Sequence, residues 1–120
     1  MLETGFDGFG FGGWPLDSEG QLLSEILEYT RQLIPLNFAL HALGIGHPHN
    51  VLTGYHLGYG LFDCAMPTRD ARHNRLYGFN QPSTAPLAGL QGDWLQYIYL
   101  NDEKYIRADL PVSAGCDCPV

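Results

Sequence analysis

The sequence is poor in basic residues and has no long hydrophobic run. Only 6 of its 120 residues are lysine or arginine, against 13 aspartates and glutamates, which gives a formal net charge of −7. This charge excludes a broadly basic surface that coats nucleic acid, but it leaves room for a local basic patch. Charges, glycines or prolines interrupt every apolar stretch before it reaches the roughly 18 residues that a membrane span needs.

Cysteine is also scarce. Three cysteines, an odd number, cannot form a fully paired disulfide framework. The first four residues, Met-Leu-Glu-Thr, lack the basic and then apolar stretch of a signal peptide. We therefore expect a cytoplasmic protein without membrane contact. With 45% hydrophobic and 16% charged residues, the chain has the composition of one small folded domain.

Glycine alternates with larger side chains over residues 6–13, Phe-Asp-Gly-Phe-Gly-Phe-Gly-Gly. A period of two predicts a strand with Gly8, Gly10 and Gly12 on one face, and another group should approach this bare backbone closely. The spacing also fits a dinucleotide-binding motif, but Trp14-Pro15 precludes the helix that must follow at once. Two explanations stay open for the bare face, a crowded barrel interior or a backbone-lined ligand site.

Strands and helices are predicted to alternate along the first half of the chain. The predicted elements are a strand over 6–13, a helix over 18–34 capped by Asp17 and Ser18, a strand over 38–43, a helix from Pro48 that Gly58 ends, and a strand over 59–62. Short connections between such elements are typical of parallel β/α units. Because parallel sheets need cover on both faces, we expect a segment of a larger structure or an associating chain. Beyond Gly78 we expect a loop and then an antiparallel strand over 94–100.

Asp63 is the first candidate for chemistry. It directly follows an apolar strand, and ligands of parallel α/β folds bind at the carboxyl ends of strands. A carboxylate at that place can act as a nucleophile, a base or a metal ligand. The residues alone leave a second explanation open, in which Asp63 only caps a helix or forms a turn.

A basic cluster follows over residues 68–75, Thr-Arg-Asp-Ala-Arg-His-Asn-Arg. Three of the six basic residues lie here, so the stretch carries +2 in an acidic chain. Guanidinium groups beside a candidate site suggest contact with phosphate. A solvated loop with ion pairs explains the same residues equally well.

The last candidate is Cys116-Asp117-Cys118, whose spacing suits two thiolates on one metal better than a mutual disulfide. A tetrahedral zinc site needs two further ligands. His47 and His49 are spare histidines, but in a turn they are more often surface polar groups. We expect Cys64 to be a packed thiol.

In this order, the motifs resemble the C-terminal part of the tRNA-guanine transglycosylases, also called queuine tRNA-ribosyltransferases. The matching stretches are Asp-Gly-Phe-Gly-Phe-Gly-Gly over 7–13, Ala-Leu-Gly-Ile-Gly over 42–46, Leu-Phe-Asp-Cys-Ala-Met-Pro-Thr-Arg over 61–69, Ala-Arg over 71–72 and Cys-Asp-Cys over 116–118. The block from Phe62 to Arg69 is highly specific. The resemblance is close over 6–77 and looser over 78–115.

The resemblance implies an α/β fold, a (β/α)8 TIM barrel of which this chain supplies about the last three β/α units and the start of a zinc-binding subdomain. Residues 1–77 would be a partial catalytic barrel, and residues 78–120 a loop and the incomplete zinc region. Family members exchange guanine in a tRNA anticodon for a 7-deazaguanine base through a covalent aspartyl-ribose intermediate. A homodimer is usual in the family.

The resemblance also assigns roles to individual residues. Asp63 matches the nucleophile, Gly12 and Gly13 match backbone lining the base pocket, and Leu43 matches an apolar residue against the base. Arg69 and Arg72 match positions that approach the RNA, and Cys116 and Cys118 match two of four ligands of a structural Zn²⁺. The remaining zinc ligands, the second catalytic carboxylate and the groups that read the base edge would lie outside this chain, so we expect the 120 residues alone to be inactive.

One departure concerns the base pocket. The family commonly continues Gly-Gly-Leu, whereas this chain has Trp14 after Gly13, which we expect to line the substrate site and to affect base choice. A paralogue that inserts a deazapurine into DNA is therefore an alternative. A partner subunit that binds RNA or protein without catalysis is another, although a binding module needs no carboxylate at position 63.

Overall fold

A computed structural model of the chain describes residues 2–80, 90, 92–109 and 111–112. It divides into two compact units, residues 1–66, which we call the parallel unit, and residues 67–120, which we call the hairpin unit. No helix in this described part is long and apolar enough to cross a membrane.

The parallel unit is a three-stranded sheet with two connecting helices. Its elements are a 3₁₀ helix Leu2–Thr4, β1 Gly8–Phe11, α1 Ser24–Leu33, β2 Ala39–Ala42, α2 Pro48–His56 and β3 Leu61–Phe62. The strand order is β1-β2-β3, and both neighbouring pairs are parallel. The predicted strand–helix alternation and mixed α/β class are therefore confirmed, with shorter strands than the sequence pattern indicated.

The register divides the sheet into two different faces. Gly10 of β1 pairs with His41 of β2, and His41 pairs with Leu61 of β3, so these three residues share one face. Leu61 is exposed on that face. The opposite face is apolar and packs against the helices, because successive residues of a strand point to opposite sides. This core consists of Leu27, Leu40, Ala42, Ile45 and Tyr59, with Phe9, Phe11, Leu22, Ile34, Val51, Leu57 and Phe62 packed against it.

Arg31 joins the connections of the parallel unit. Its side chain is buried, and its guanidinium donates hydrogen bonds to four backbone carbonyls. These belong to Ile34 at 2.6 Å, Pro35 at 2.8 Å, Gly58 at 3.2 Å and Phe38 at 3.4 Å. The loop after α1 and the loop before β3 are thereby tied to one side chain. Without it, these partly buried carbonyls would lose that donor.

The predicted start of the first helix is wrong. The helix begins at Ser24 rather than at residue 18, because Asp17 forms a local turn. Asp17 Oδ1 accepts hydrogen bonds from the backbone N–H groups of Glu19 at 2.9 Å and Gln21 at 2.8 Å. Caps and turns both make such hydrogen bonds, but here Gly20 follows in the left-handed region with φ +79°, which a right-handed helix cannot contain.

The hairpin unit contains α3 Met66–Arg72, which begins at the boundary, β4 Arg75–Phe79, β5 Leu95–Tyr99 and α4 Glu103–Ile106. β4 and β5 pair antiparallel, with Tyr77 opposite Tyr97. The antiparallel strand predicted over 94–100 is confirmed. The charged stretch 68–75, for which a solvated loop was one explanation, instead includes most of α3 and the start of β4. Of the loop expected beyond Gly78, residues 81–89 lie outside the described residues.

Asp70 is a buried charge in the hairpin unit, with 1% of its surface exposed. Its carboxylate accepts hydrogen bonds from the Tyr77 hydroxyl and the Arg75 guanidinium. The Tyr77 hydrogen bond, helped by Arg75 and opposed by burial, lowers the pKa of Asp70. Stability from this carboxylate is therefore present at neutral pH and is lost as the pH falls through its folded pKa.

We predict that Arg31→Met lowers the free energy of unfolding by about 3 kcal/mol, because four partly buried carbonyls lose their donor. Urea unfolding measures the change. The exposed neighbour variant Gln32→Met is the matched control and should stay within about 0.5 kcal/mol of the wild type. Equal effects of the two substitutions would show that the Arg31 hydrogen bonds are dispensable.

A second prediction concerns alkaline pH. Burial and the hydrogen bond to Asp70 raise the pKa of Tyr77 to about 12, above the value of about 10 for an unfolded tyrosine. The folded state therefore keeps this proton longer, so its contribution is complete below pH ~10 and is lost as the pH rises toward ~12. Urea unfolding at pH 9 and pH 11 should show a smaller decline for Tyr77→Phe than for the wild type. An equal decline would contradict the assignment.

Candidate functional site

Asp63 lies at the carboxyl end of the parallel sheet. It directly follows β3, and 60% of its side chain is exposed. The location matches the sequence prediction, because the apolar residues 61–62 form the strand and the chain leaves the sheet at residue 63. The carboxylate is thus open to a ligand at the end of the sheet where parallel folds bind theirs.

Two donors hold the same oxygen of this carboxylate. His41 Nε2 lies 2.9 Å from Asp63 Oδ1, and the backbone N–H of Gly44 donates to the same oxygen at 3.2 Å. A carboxylate oxygen can only accept, so Nε2 carries the proton of this hydrogen bond. Among the described residues, no side chain or backbone group donates to Oδ2.

The local backbone explains both contacts. His41 pairs with Leu61, two residues before Asp63, so the imidazole on β2 and the carboxylate just after β3 lie on the same side of the sheet. Gly44 follows β2 with φ +76°, a left-handed conformation that favours glycine. The turn after β2 thereby points an N–H group at the end of β3.

His41 is a site residue that the sequence reasoning did not single out. It appeared only as one member of an apolar strand. The sequence held one signal. His41 and Leu43 are two residues apart on one predicted strand and so point to the same face, and residues 61 and 63 are likewise two apart at the next strand. Whether these residues share one face of the sheet depends on the register between β2 and β3, which is a tertiary property that a single sequence does not specify.

Leu43 accounts for part of the bare glycine face. A Cβ added to Gly10 would come within 2.8 Å of Leu43 Cδ1, so the leucine side chain lies over this glycine and would have to shift for a larger residue. Gly8 needs its bare Cα for another reason, since an added Cβ would lie 2.9 Å from the Ala39 carbonyl oxygen. The expected close approach is therefore made at these two positions by the chain itself. Leu43 keeps 40% of its surface exposed near the end of β2.

Residues 12–14, which follow β1, are exposed. Gly12 has no atom within 4 Å of an added Cβ, whereas Gly13 lies against the Phe11 ring. Trp14 is 79% exposed. These three residues follow the carboxyl end of β1 and so leave the sheet at the same edge as Asp63.

Cys64 packs behind the carboxylate. An added Cβ on Gly46 would lie only 1.7 Å from Cys64 Sγ, so the loop between β2 and α2 passes directly against this thiol. The Met66 N–H donates to the sulfur at 3.4 Å. Cys64 is half-buried and unpaired by disulfide, in agreement with a packed thiol.

The remaining candidates lie elsewhere in the chain. Arg69 and Arg72 are exposed on the last turn of α3. Cys116 and Cys118 lie outside the described residues, and the described ones contain no group of three or more metal-binding side chains that could hold an ion. His47 and His49 stack with ring centroids 5.5 Å apart.

The arrangement around Asp63 suits nucleophilic chemistry. An exposed carboxylate with one oxygen fixed by two donors presents its other oxygen in a restricted orientation. The neighbouring apolar and glycine surfaces can accept a flat ring, because they offer backbone and a leucine side chain rather than charges.

Comparison with known proteins gives one consistent result. The sequence profile described as "Queuine tRNA-ribosyltransferase" matches residues 1–120. The queuine tRNA-ribosyltransferase of Actinobacillus pleuropneumoniae serotype 3 (strain JL03) is 30% identical over 118 residues, which cover 98% of this chain and 27% of that protein. Those of Caulobacter vibrioides and Halothermothrix orenii are 28% and 29% identical, and cover 99% and 100% of this chain. The chain spans little more than a quarter of the length of these curated relatives.

We predict that Gly46→Ala destabilises the protein by about 1–3 kcal/mol and displaces the segment around Cys64, because a methyl group cannot fit beside Sγ. Thermal unfolding measures the loss. The double variant Gly46→Ala, Cys64→Gly should recover part of it, since the thiol and its Cβ are then gone. Exposed Gly12→Ala, which has open space, is the control. Equal losses from the two glycine substitutions would contradict the packing argument.

Proposed function

Because this chain belongs to the queuine tRNA-ribosyltransferase family, we propose that it contributes the nucleophile, Asp63, of an enzyme that exchanges guanine in a tRNA anticodon for a 7-deazaguanine base. The observation that carries the proposal is the exposed carboxylate at the end of β3, held through one oxygen by His41 and Gly44. A helix cap or turn former would use its oxygens on the following backbone, whereas Asp63 bonds across to β2.

The proposed reaction has two displacements at the ribose C1′. An Asp63 oxygen attacks C1′, the bond between C1′ and the guanine nitrogen breaks, and guanine leaves with the electron pair and takes up a proton. The incoming base then loses a proton, attacks C1′ and releases Asp63 as a carboxylate. A carboxylate suits both steps, because it can attack a carbon of oxocarbenium character and later leave from it, as in retaining glycosidases.

We assign the base pocket to the surfaces beside Asp63. Gly12 offers open backbone after β1, Gly13 follows it against the Phe11 ring, and Leu43 offers an apolar side chain after β2. A planar purine can stack on such surfaces without losing hydrogen bonds to charged side chains. Trp14 is the exposed residue that replaces the usual leucine here, so we propose that it influences which base enters.

We assign contact with the RNA backbone to Arg69 and Arg72. Both are exposed on α3, and the direct ion-pair partner of the buried Asp70 is Arg75. The chain carries a net charge of −7, so attraction for a polyanion has to come from local guanidinium groups of this kind.

The proposal places other essential groups outside these 120 residues. The second catalytic carboxylate and the groups that read the base edge belong to parts of the barrel that this chain does not supply, so we expect the isolated chain to be inactive in base exchange. A homodimer and a structural Zn²⁺ at Cys116 and Cys118 remain predictions from the resemblance, and no step of the reaction is assigned to the metal.

The alternatives have less support. The relatives compared above are named for tRNA, which does not favour insertion of a deazapurine into DNA. A partner subunit without catalysis would have no use for an exposed carboxylate held by two donors. Exchange of labelled guanine into tRNA and into duplex DNA, measured side by side, separates the three functions.

We predict that Asp63→Asn abolishes the covalent adduct with RNA and leaves RNA affinity within about tenfold of the wild type, since the amide keeps the shape but is not a nucleophile. The adduct is measured on a denaturing gel with a labelled tRNA transcript, in the complete enzyme to which the chain belongs. Asp93→Asn, an exposed aspartate of the hairpin unit, is the matched control and should form the adduct normally. An adduct in the Asp63→Asn protein would assign the nucleophile to another residue.

A further inference from the structure

We infer that His41 is a positioning residue for the Asp63 nucleophile, and that together with the Gly44 N–H it stabilises the negative charge that returns to the carboxylate when the covalent intermediate breaks down. The inference rests on the proposed function and deepens it. It further assigns the two carboxylate oxygens different tasks, Oδ1 being held and Oδ2 attacking C1′.

The geometry distinguishes the two oxygens. His41 Nε2 at 2.9 Å and Gly44 N at 3.2 Å both donate to Oδ1, and none of the described residues donates to Oδ2. Attack through Oδ1 would require the loss of at least one of these hydrogen bonds. Attack through Oδ2 leaves both intact, so the carboxylate can react without reorganising its surroundings.

The imidazole is itself held in place. His41 lies within β2, between the ladder partners Gly10 on β1 and Leu61 on β3, and its side chain is one-third exposed. A donor on the middle strand of the sheet is more precisely placed than one on a loop.

The chemistry makes the role of the donors asymmetric. When Oδ2 forms its bond to C1′, Oδ1 becomes the carbonyl oxygen of a neutral ester, and both donors can remain on it. When the incoming base displaces the ester, the C1′–Oδ2 bond breaks, its electron pair returns to the carboxylate and the negative charge spreads onto Oδ1. Hydrogen bonds to a charged oxygen are about twice as strong as those to a neutral one, so His41 favours the free carboxylate over the ester.

Loss of the His41 donor therefore has a specific consequence. Without this donor, the ester loses less stabilisation than the free carboxylate does. Breakdown of the covalent adduct should therefore slow, and the adduct should accumulate. A residue that merely supported the fold would act differently, because its loss would lower adduct formation and turnover together. The two roles are thus separable by measuring both quantities on the same protein.

The test uses His41→Phe, which keeps a planar ring without a donor, and His41→Gln, whose side-chain amide can place an N–H near the position of Nε2. His56→Phe, an exposed histidine on α2, is the matched control. In the complete enzyme, exchange of labelled guanine into a tRNA transcript gives turnover, and a denaturing gel gives the fraction of protein held as adduct. Thermal unfolding and RNA affinity are measured for each variant.

We expect His41→Phe to lower the exchange rate about five- to twentyfold and to raise the steady-state fraction of adduct. His41→Gln should restore much of the rate, and His56→Phe should match the wild type. Parallel loss of adduct and turnover, or no change in either, would overturn the inference. An adduct that persists in Asp63→Asn would instead contradict the proposed function, so the two failures are distinguishable.

Discussion

The parallel register of three short strands is the constraint on which the rest of the parallel unit depends. It places Gly10, His41 and Leu61 side by side on one face of the sheet and the alternating apolar residues on the opposite face. Because the side-chain period of a strand is two, a slip by one residue would bury the imidazole and expose the core. The same register that assembles the hydrophobic face therefore also assembles the face that ends in Asp63.

The site is held from two directions. On the helix side, Arg31 donates to the Phe38 carbonyl just before β2 and to the Gly58 carbonyl before β3. It thereby fixes where the chain enters each of these strands. On the open side, the left-handed Gly44 and the packed pair Gly46 and Cys64 fix the turns that leave the strands. Buried polar contacts of this kind stabilise one loop geometry over others, since a carbonyl that loses its donor inside the protein is costly.

Much of the fold follows from local rules. Pro48 lies at the start of α2, where its fixed φ is favourable, and the alternating glycines over 8–12 indicate an extended strand. The first helix shows where local rules conflict, because Asp17 is equally good as a helix cap and as a turn former. The side chain bonds the N–H groups of Glu19 and Gln21, and the helix starts six residues later than the pattern indicates.

The sequence by itself determined the alternation of strands and helices and the place of Asp63 after an apolar strand, and its motifs carried the family resemblance. These are properties of residue order, which spacing and side-chain type express directly. Only the tertiary structure decided that His41 donates to Asp63, that Leu43 covers Gly10, and that Asp70 is buried with Tyr77. Such contacts depend on the register between strands and on the route of the connections, which arise from packing over the whole unit.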